Sequence, residues 1–239
     1  MSEHPHLVSA PIREALIDFR VRLPPDSSPE TLFALTEDLC AEYPKASPIL
    51  QFQGAIQFSG EGPVSVQGPP QQLGYRLESS GGLNIAQIRI DGFTFSRLEP
   101  YESWDRMVED AWVVWKMYLE RSSPLGIERI ATRFINRIVL PPSGQLGEIF
   151  SVPPEVPDGR IDSLLFRYQL APTNGVTAIV SVATEEGPEP SMILDIDCFV
   201  RRSFPTDEVG LHRQLRKLRD AKNRIFFRSL TTEAIERYK

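Results

Sequence analysis

Asp18-Phe19-Arg20-Val21-Arg22-Leu23-Pro24-Pro25 returns in the second half of the chain as Ile135-Asn136-Arg137-Ile138-Val139-Leu140-Pro141-Pro142. Each copy closes a run of alternating apolar and polar residues, the period-two signature of a strand with one buried face. Each run stops at a proline pair, because proline has no N–H to donate to a strand ladder. In the same register Leu32-Phe33 falls on Ile149-Phe150. Farther on, Arg89-Ile90-Asp91-Gly92-Phe93 is matched by Asp195-Ile196-Asp197-Cys198-Phe199, and a long helical pattern follows each. The order strand, Pro-Pro, helix, short strands, Ile-Asp-x-Phe, helix thus occurs twice. A period this long builds a duplicated unit and not a solenoid. The expected fold class is α+β. It is an internally duplicated β-α-β(3-4)-α unit with antiparallel curved sheets, helices packed on one face and a pseudo-twofold axis. The copies divide the chain at 1–123 and 124–239, and neither has enough opposing apolar surface to stand alone.

Outward from these stretches the elements follow from pattern. A first strand spans Pro11 to Leu23. Ser28 suits a helix N-cap and Pro29 the first helical position, with Leu32, Leu35, Thr36, Leu39, Cys40 and Tyr43 on one face and Pro44 as the stop. Short strands then run from Ile49 to Leu98, with turns at Gly60-Glu61-Gly62-Pro63 and Ser80-Gly81-Gly82. Tyr101 to Arg121 is the clearest helix. Tyr101, Trp104, Met107, Val108, Ala111, Trp115 and Tyr118 share a face, and Glu102, Asp105, Arg106, Glu109 and Asp110 lie largely on the other. Core packing against the sheet is the favoured role of its tryptophans. In the second half strands are expected at Ile127–Leu140, Leu164–Leu170, Val176–Thr184 and Met192–Arg201. The proline-rich loop Pro153-Pro154-Glu155-Val156-Pro157 leads into them. A last long helix runs from Val209 to Phe226, carrying Leu211, Leu215, Leu218, Lys222 and Ile225 at helical spacing, and Thr232-Glu233 opens one more turn.

A hydrophobic fraction of 41% and a charged fraction of 24% belong to a globular chain. The net charge of −6 argues against a surface wholly given to nucleic acid or anionic membrane. Cys40 and Cys198 both sit in apolar patterns and read as buried thiols in a reducing compartment. Met1 to Ser9 lacks an apolar signal core, and no apolar run approaches the ~20 residues that cross a bilayer. A cytoplasmic protein with no membrane partner is expected.

A further set of stretches carries a resemblance. Ala10-Pro11-Ile12-Arg13-Glu14-Ala15, Gly92-Phe93-Thr94-Phe95-Ser96-Arg97-Leu98, Pro100-Tyr101-x-x-Trp104 and Arg133-Phe134-Ile135-Asn136-Arg137-Ile138 belong to it. Leu194-Asp195-Ile196-Asp197 and Leu218-Arg219-Asp220-Ala221-Lys222-Asn223-Arg224-Ile225-Phe226-Phe227 complete it. Together they resemble a sporadically distributed bacterial and archaeal family of uncharacterised proteins of this length. The resemblance spans nearly the whole chain. It implies no catalytic residues, and the family's patchy distribution is compatible with defence or mobile-element loci.

Three constellations carry chemistry. The second long strand places Arg129, Arg133 and Arg137 on one side, opposite Ile130, Phe134, Asn136 and Ile138. Alternate arginines there stand roughly 13 Å apart, a spacing for phosphates or a partner's carboxylates. Pairing to Glu or Asp on neighbouring strands is the plainer alternative, and Asn136 reads as a buried amide needing partners. Asp195 and Asp197 point to one face of their strand. They suit an ion-pair cluster with the strand arginines better than a metal, for which no third ligand is nominated. The last helix is basic, with Arg213, Arg216, Lys217, Arg219, Lys222, Arg224 and Arg228 against Asp220 alone. That face suits nucleic acid or an acidic partner, or simply solvent. His4, His6 and His212 cannot form a metal triad. There is no Walker loop, no Gly-x-Gly-x-x-Gly after a strand, no Gly-x-Ser-x-Gly and no Cys-x-x-Cys. The expectation is a non-enzymatic binding module, with no cofactor, that recognises a protein or an anionic ligand through Arg129, Arg133, Arg137, Asp195, Asp197, Arg216, Arg219 and Lys222. The alternatives are a nucleic-acid-binding protein using residues 213–228 and a divergent metal-dependent hydrolase built on Asp195 and Asp197.

Overall fold

The computed structural model describes residues 4–5, 7–52, 54–59, 62–153 and 163–239. Among the described residues eleven strands are defined: β1 (Ile12–Arg22), β2 (Lys45–Gln51), β3 (Gly54–Ser59), β4 (Gly62–Gln67), β5 (Gln71–Glu78), β6 (Asn84–Arg89), β7 (Gly92–Leu98), β8 (Gly126–Val139), β9 (Leu165–Thr173), β10 (Val176–Glu185) and β11 (Ser191–Phe204). The helices are α1 (Phe33–Asp38), α2 (Trp104–Ser122), α3 (Glu208–Ser229) and α4 (Thr232–Glu236). His6, Gly60-Glu61 of one expected turn and residues 154–157 of the proline-rich loop lie outside the described residues.

Nine strands form one sheet in the order β2-β5-β6-β7-β1-β8-β11-β10-β9, while β3 and β4 pair as a separate ribbon. Every neighbouring pair is antiparallel. The centre is β1 against β8, with Phe19 opposite Ile130 and Asp18 opposite Ala131. Strand alternation decides the two faces. Ala15, Ile17, Phe19 and Val21 of β1 are buried, as are Ile130, Phe134 and Ile138 of β8. They meet α2 and α3. Trp115 is fully buried with its ring 4.4 Å from Phe19 and 5.4 Å from Phe93, and Tyr118 donates its hydroxyl to the Arg89 carbonyl at 2.7 Å. These are core roles, and each such ring removes on the order of 150–250 Å² from water. Asp18, Arg20, Arg129 and Asp197 project from the opposite, open face.

Local chemistry sets the helix ends. Ser103 Oγ accepts from the Arg106 amide at 3.1 Å and Asp207 from the Gly210 amide at 2.6 Å, each satisfying a donor the first turn leaves orphaned. The segment expected as one helix to Tyr43 is instead a 3-10 turn, Pro29–Leu32, followed by the short α1. Ser28 holds the N-cap position there, yet its side chain makes no capping bond. Because α1 ends at Asp38, Cys40 leaves the apolar face. It is exposed, correcting the expectation of a buried thiol; Cys198 is buried, with its thiol pushed up to about 12 by desolvation. β2 starts directly after Pro44, earlier than the Ile49 expected. It is an edge strand exposed on both faces, which erases period-two patterning and tolerates Pro48. Among the described residues no helix is long and apolar enough to cross a membrane.

Candidate functional site

The open face is built by the alternation that buries the other one. Its polar residues form a chain across five strands. Arg89 of β6 is 5% exposed and reaches Asp91 at 2.8 Å, Gln87 at 2.9 Å and the Thr94 hydroxyl at 3.1 Å. Thr94 donates to Asp18 at 2.9 Å, and Arg129 of β8 bridges Asp18 at 2.7 Å and Asp197 at 2.8 Å. Four residues along β8, Arg133 grips Asp195 with two bonds, at 2.8 and 2.7 Å. Burial pushes the Asp197 carboxyl up, against the pull of Arg129 and Arg133. The hydrogen bonds that Arg133 donates to Asp195 stabilise its charged guanidinium.

A basin of about 680 Å³ lies over this network and is lined by Asp18, Arg20, Arg89, Arg129, Arg133 and Asp197, with Glu128, Phe199 and Arg201 among its other walls. Five arginines and three carboxylates line it, and Asp91 and Asp195 at its margin pair with Arg20, Arg89 and Arg133, so that Arg201 is left as the lining arginine with no ion pair among the described residues. Arg201 is exposed, makes no ion pair among the described residues, and lies 5.1 Å from the Phe199 ring, whose other neighbour is Arg129 at 4.6 Å. No family model matches the chain, and a comparison with curated proteins finds no match either.

The structure therefore brings Arg129, Arg133, Asp195 and Asp197 together as ion pairs on one face. Arg137 shares the face but is taken up by Glu185 at 2.7 Å and Glu189 at 3.1 Å, outside the basin. Asp195 and Asp197 are occupied by arginines, and among the described residues no group of three His, Cys, Asp or Glu side chains gathers in a metal-holding arrangement. Asn136 donates to the carbonyls of Phe134 and Leu194, as a buried amide must.

The basic residues of α3 separate. Arg213, Arg216, Lys217 and Arg228 are exposed; Arg219 is half-buried, 5.7 Å from the Trp104 ring. Lys222 follows the apolar stripe of α3 inward. It is 8% exposed, with Nζ 3.8 Å from the Phe134 ring centre. These three candidates from α3 lie apart from the sheet-face cluster. Sequence reasoning missed Asp18, Arg89, Thr94 and Arg201. Asp18 stands in the alternation of β1, but its link to Arg129 exists only through the β1–β8 register. An apolar groove of about 560 Å³, walled by Phe166, Tyr168, Val180 and Ile225 between β9, β10 and α3, also had no local signal.

Proposed function

We propose that this chain is a binding module that recognises an anionic segment of a partner protein across the open face of its sheet. The observation that carries the reading is the pair of arginines open to the basin, Arg201, unpaired among the described residues, and Arg133, 47% exposed in side chain. A guanidinium presents a planar fork of donors; Asp195 takes the Nε and Nη2 side of Arg133 and leaves Nη1 for a ligand, while Arg201 offers its whole fork. Fixing Arg129 and Arg133 by ion pairs before the partner arrives reduces the side-chain ordering that binding requires. Residues Arg129, Arg133 and Arg201 are the contact residues, with Asp197 holding Arg129 and Asp195 holding Arg133. The test is affinity capture with wild type and with an Arg133→Glu/Arg201→Glu variant of unchanged circular dichroism. Partners retained by wild type and lost by the variant support the reading; an identical captured set overturns it.

A duplicated origin for the fold accompanies this proposal. It is supported by the strand order, in which β5-β6-β7-β1 is followed by β8-β11-β10-β9, two four-strand groups that meet antiparallel at β1 and β8. The two copies, 1–123 and 124–239, would then each supply half of the basin floor. A second reading, nucleic-acid binding through residues 213–228, is favoured by the exposed Arg213, Arg216, Lys217 and Arg228, which make no ion pairs among the described residues. It predicts retardation of DNA or RNA that weakens steeply with salt. No retardation at low salt removes it.

A further inference from the structure

On the helix side of the sheet, independent of the open face, a cavity of about 330 Å³ opens between α3, β8, the start of α2 and the N-terminal segment. Tyr101, Trp104 and Phe134 form aromatic walls, and Lys222 lines it from α3. A lysine stem is long enough to carry its head back to water, yet Lys222 stays more than nine-tenths buried. It makes no ion pair or hydrogen bond among the described residues; its one contact of note is the Phe134 ring. Burying an ammonium without a carboxylate costs several kcal/mol, so the group is held against a standing penalty.

The titratable groups around it come from every packed element. They are Arg219 on α3, Cys198 on β11, Tyr101, Glu102 and Asp105 leading into and opening α2, and His4, whose ring stacks on Phe227 at 4.6 Å. Desolvation, and then the Arg219 charge, push the amine down to about 7, with only Cys198 acting the other way. An apolar pocket beside a second cation is the setting in which a lysine becomes a nucleophile near neutral pH. Asn136 shares the cavity with its amide nitrogen committed to two backbone carbonyls.

We infer that Lys222 is the nucleophile of a carbonyl-condensing site, taking an aldehyde or ketone that has an aromatic or apolar body and a carboxylate for Arg219. The Nζ lone pair forms a bond to the carbonyl carbon as the C–O π pair moves to oxygen. The carbon–oxygen bond then breaks, and oxygen leaves as water with the two hydrogens that nitrogen gives up. The product is an imine, reached without oxidant or reductant. The aromatic walls exclude bulk water, and Arg219 orients the acid group.

The test uses the full-length chain at pH 7 with 4-carboxybenzaldehyde and sodium cyanoborohydride, followed by peptide mapping of all five lysines. Lys45, Lys116, Lys217 and Lys239 serve as internal exposed controls. Lys222 is expected to be trapped about tenfold or more faster than each of them, with the advantage shrinking towards pH 10 as the others lose their protons. Arg219→Gln is expected to slow trapping of the carboxylated aldehyde more than that of benzaldehyde itself. Lys222 left unlabelled, or labelled no faster than Lys217, overturns the proposal. Equal slowing of both aldehydes by Arg219→Gln overturns the part assigned to Arg219.

Discussion

The Lys222 amine leaves a signature in stability as well as in reactivity. Unfolded, it titrates at its ordinary 10.5, and folded at about 7. Between those values the unfolded chain holds the proton and the folded chain does not, so stability rises with pH across the window. The burial penalty is complete below about 7 and absent above 10.5. Lys222→Met removes it at every pH. The variant is therefore expected to exceed wild type in urea stability near pH 7, by a margin that narrows by on the order of 3 kcal/mol towards pH 10. A pH-independent difference would show that the amine keeps its ordinary affinity for the proton. Gly92 makes a second residue-scale case. A Cβ there would stand 2.4 Å from the Phe19 carbonyl oxygen, a backbone atom that cannot swing aside. Gly92→Ala is expected to destabilise by about 1–3 kcal/mol in the same assay. Both residues were visible in the sequence, Lys222 on the apolar stripe of a helix and Gly92 in a repeated Ile-Asp-x-Phe, but the atoms facing them come from distant strands.

Elements decide which ion pairs matter. Arg129 serves two carboxylates from β1 and β11, and the three side chains are 18%, 14% and 21% exposed. Arg129→Met strands Asp197 in a half-buried setting and leaves Asp18 to Thr94, Arg20 and Arg89, and it is expected to cost about 2 kcal/mol, read by denaturant midpoint. Arg133 pairs Asp195 from a side chain 47% exposed, and Arg133→Met is expected to cost no more than about 1 kcal/mol, because solvent screens the pair. Equal losses in the two variants would contradict the burial difference. The arginine row and the Asp-x-Asp pair were both legible from alternation along single strands. Their partnership was not, since it depends on Asp197 standing opposite Arg133 across the β8–β11 ladder. Helix α2 shows the same division. Its apolar face is readable from helical spacing, but Trp112 stands outside that stripe and is still only 7% exposed. The indole packs on His212 of α3 at 4.1 Å, a neighbour that no helical period announces.

For the whole molecule, the continuous sheet is the governing fact. β1 and β8 pair along nearly their full lengths at its centre, so separating residues 1–123 from 124–239 exposes the unpaired edges of its two central strands. Each half made alone is expected to be insoluble or unfolded by circular dichroism, with soluble protein recovered only on co-expression. A soluble, folded half would contradict this. Hydrogen exchange should run in the same direction, slowest in β1 and β8 and fastest in the edge strands β2 and β9, where ladder bonds are accessible to water. The sequence by itself determined the α+β class, most of the strands and helices, and the faces that residues such as Phe19, Trp115 and Arg129 would take. Those follow from the fixed periods of strand and helix and from proline's missing donor. Only the tertiary structure decided that the strands form one sheet, that Arg129 meets Asp18 and Asp197, and that Lys222 turns inward while Arg216 stays in water. Register and helix docking are set by long-range packing, and no local pattern encodes which distant residue will stand opposite.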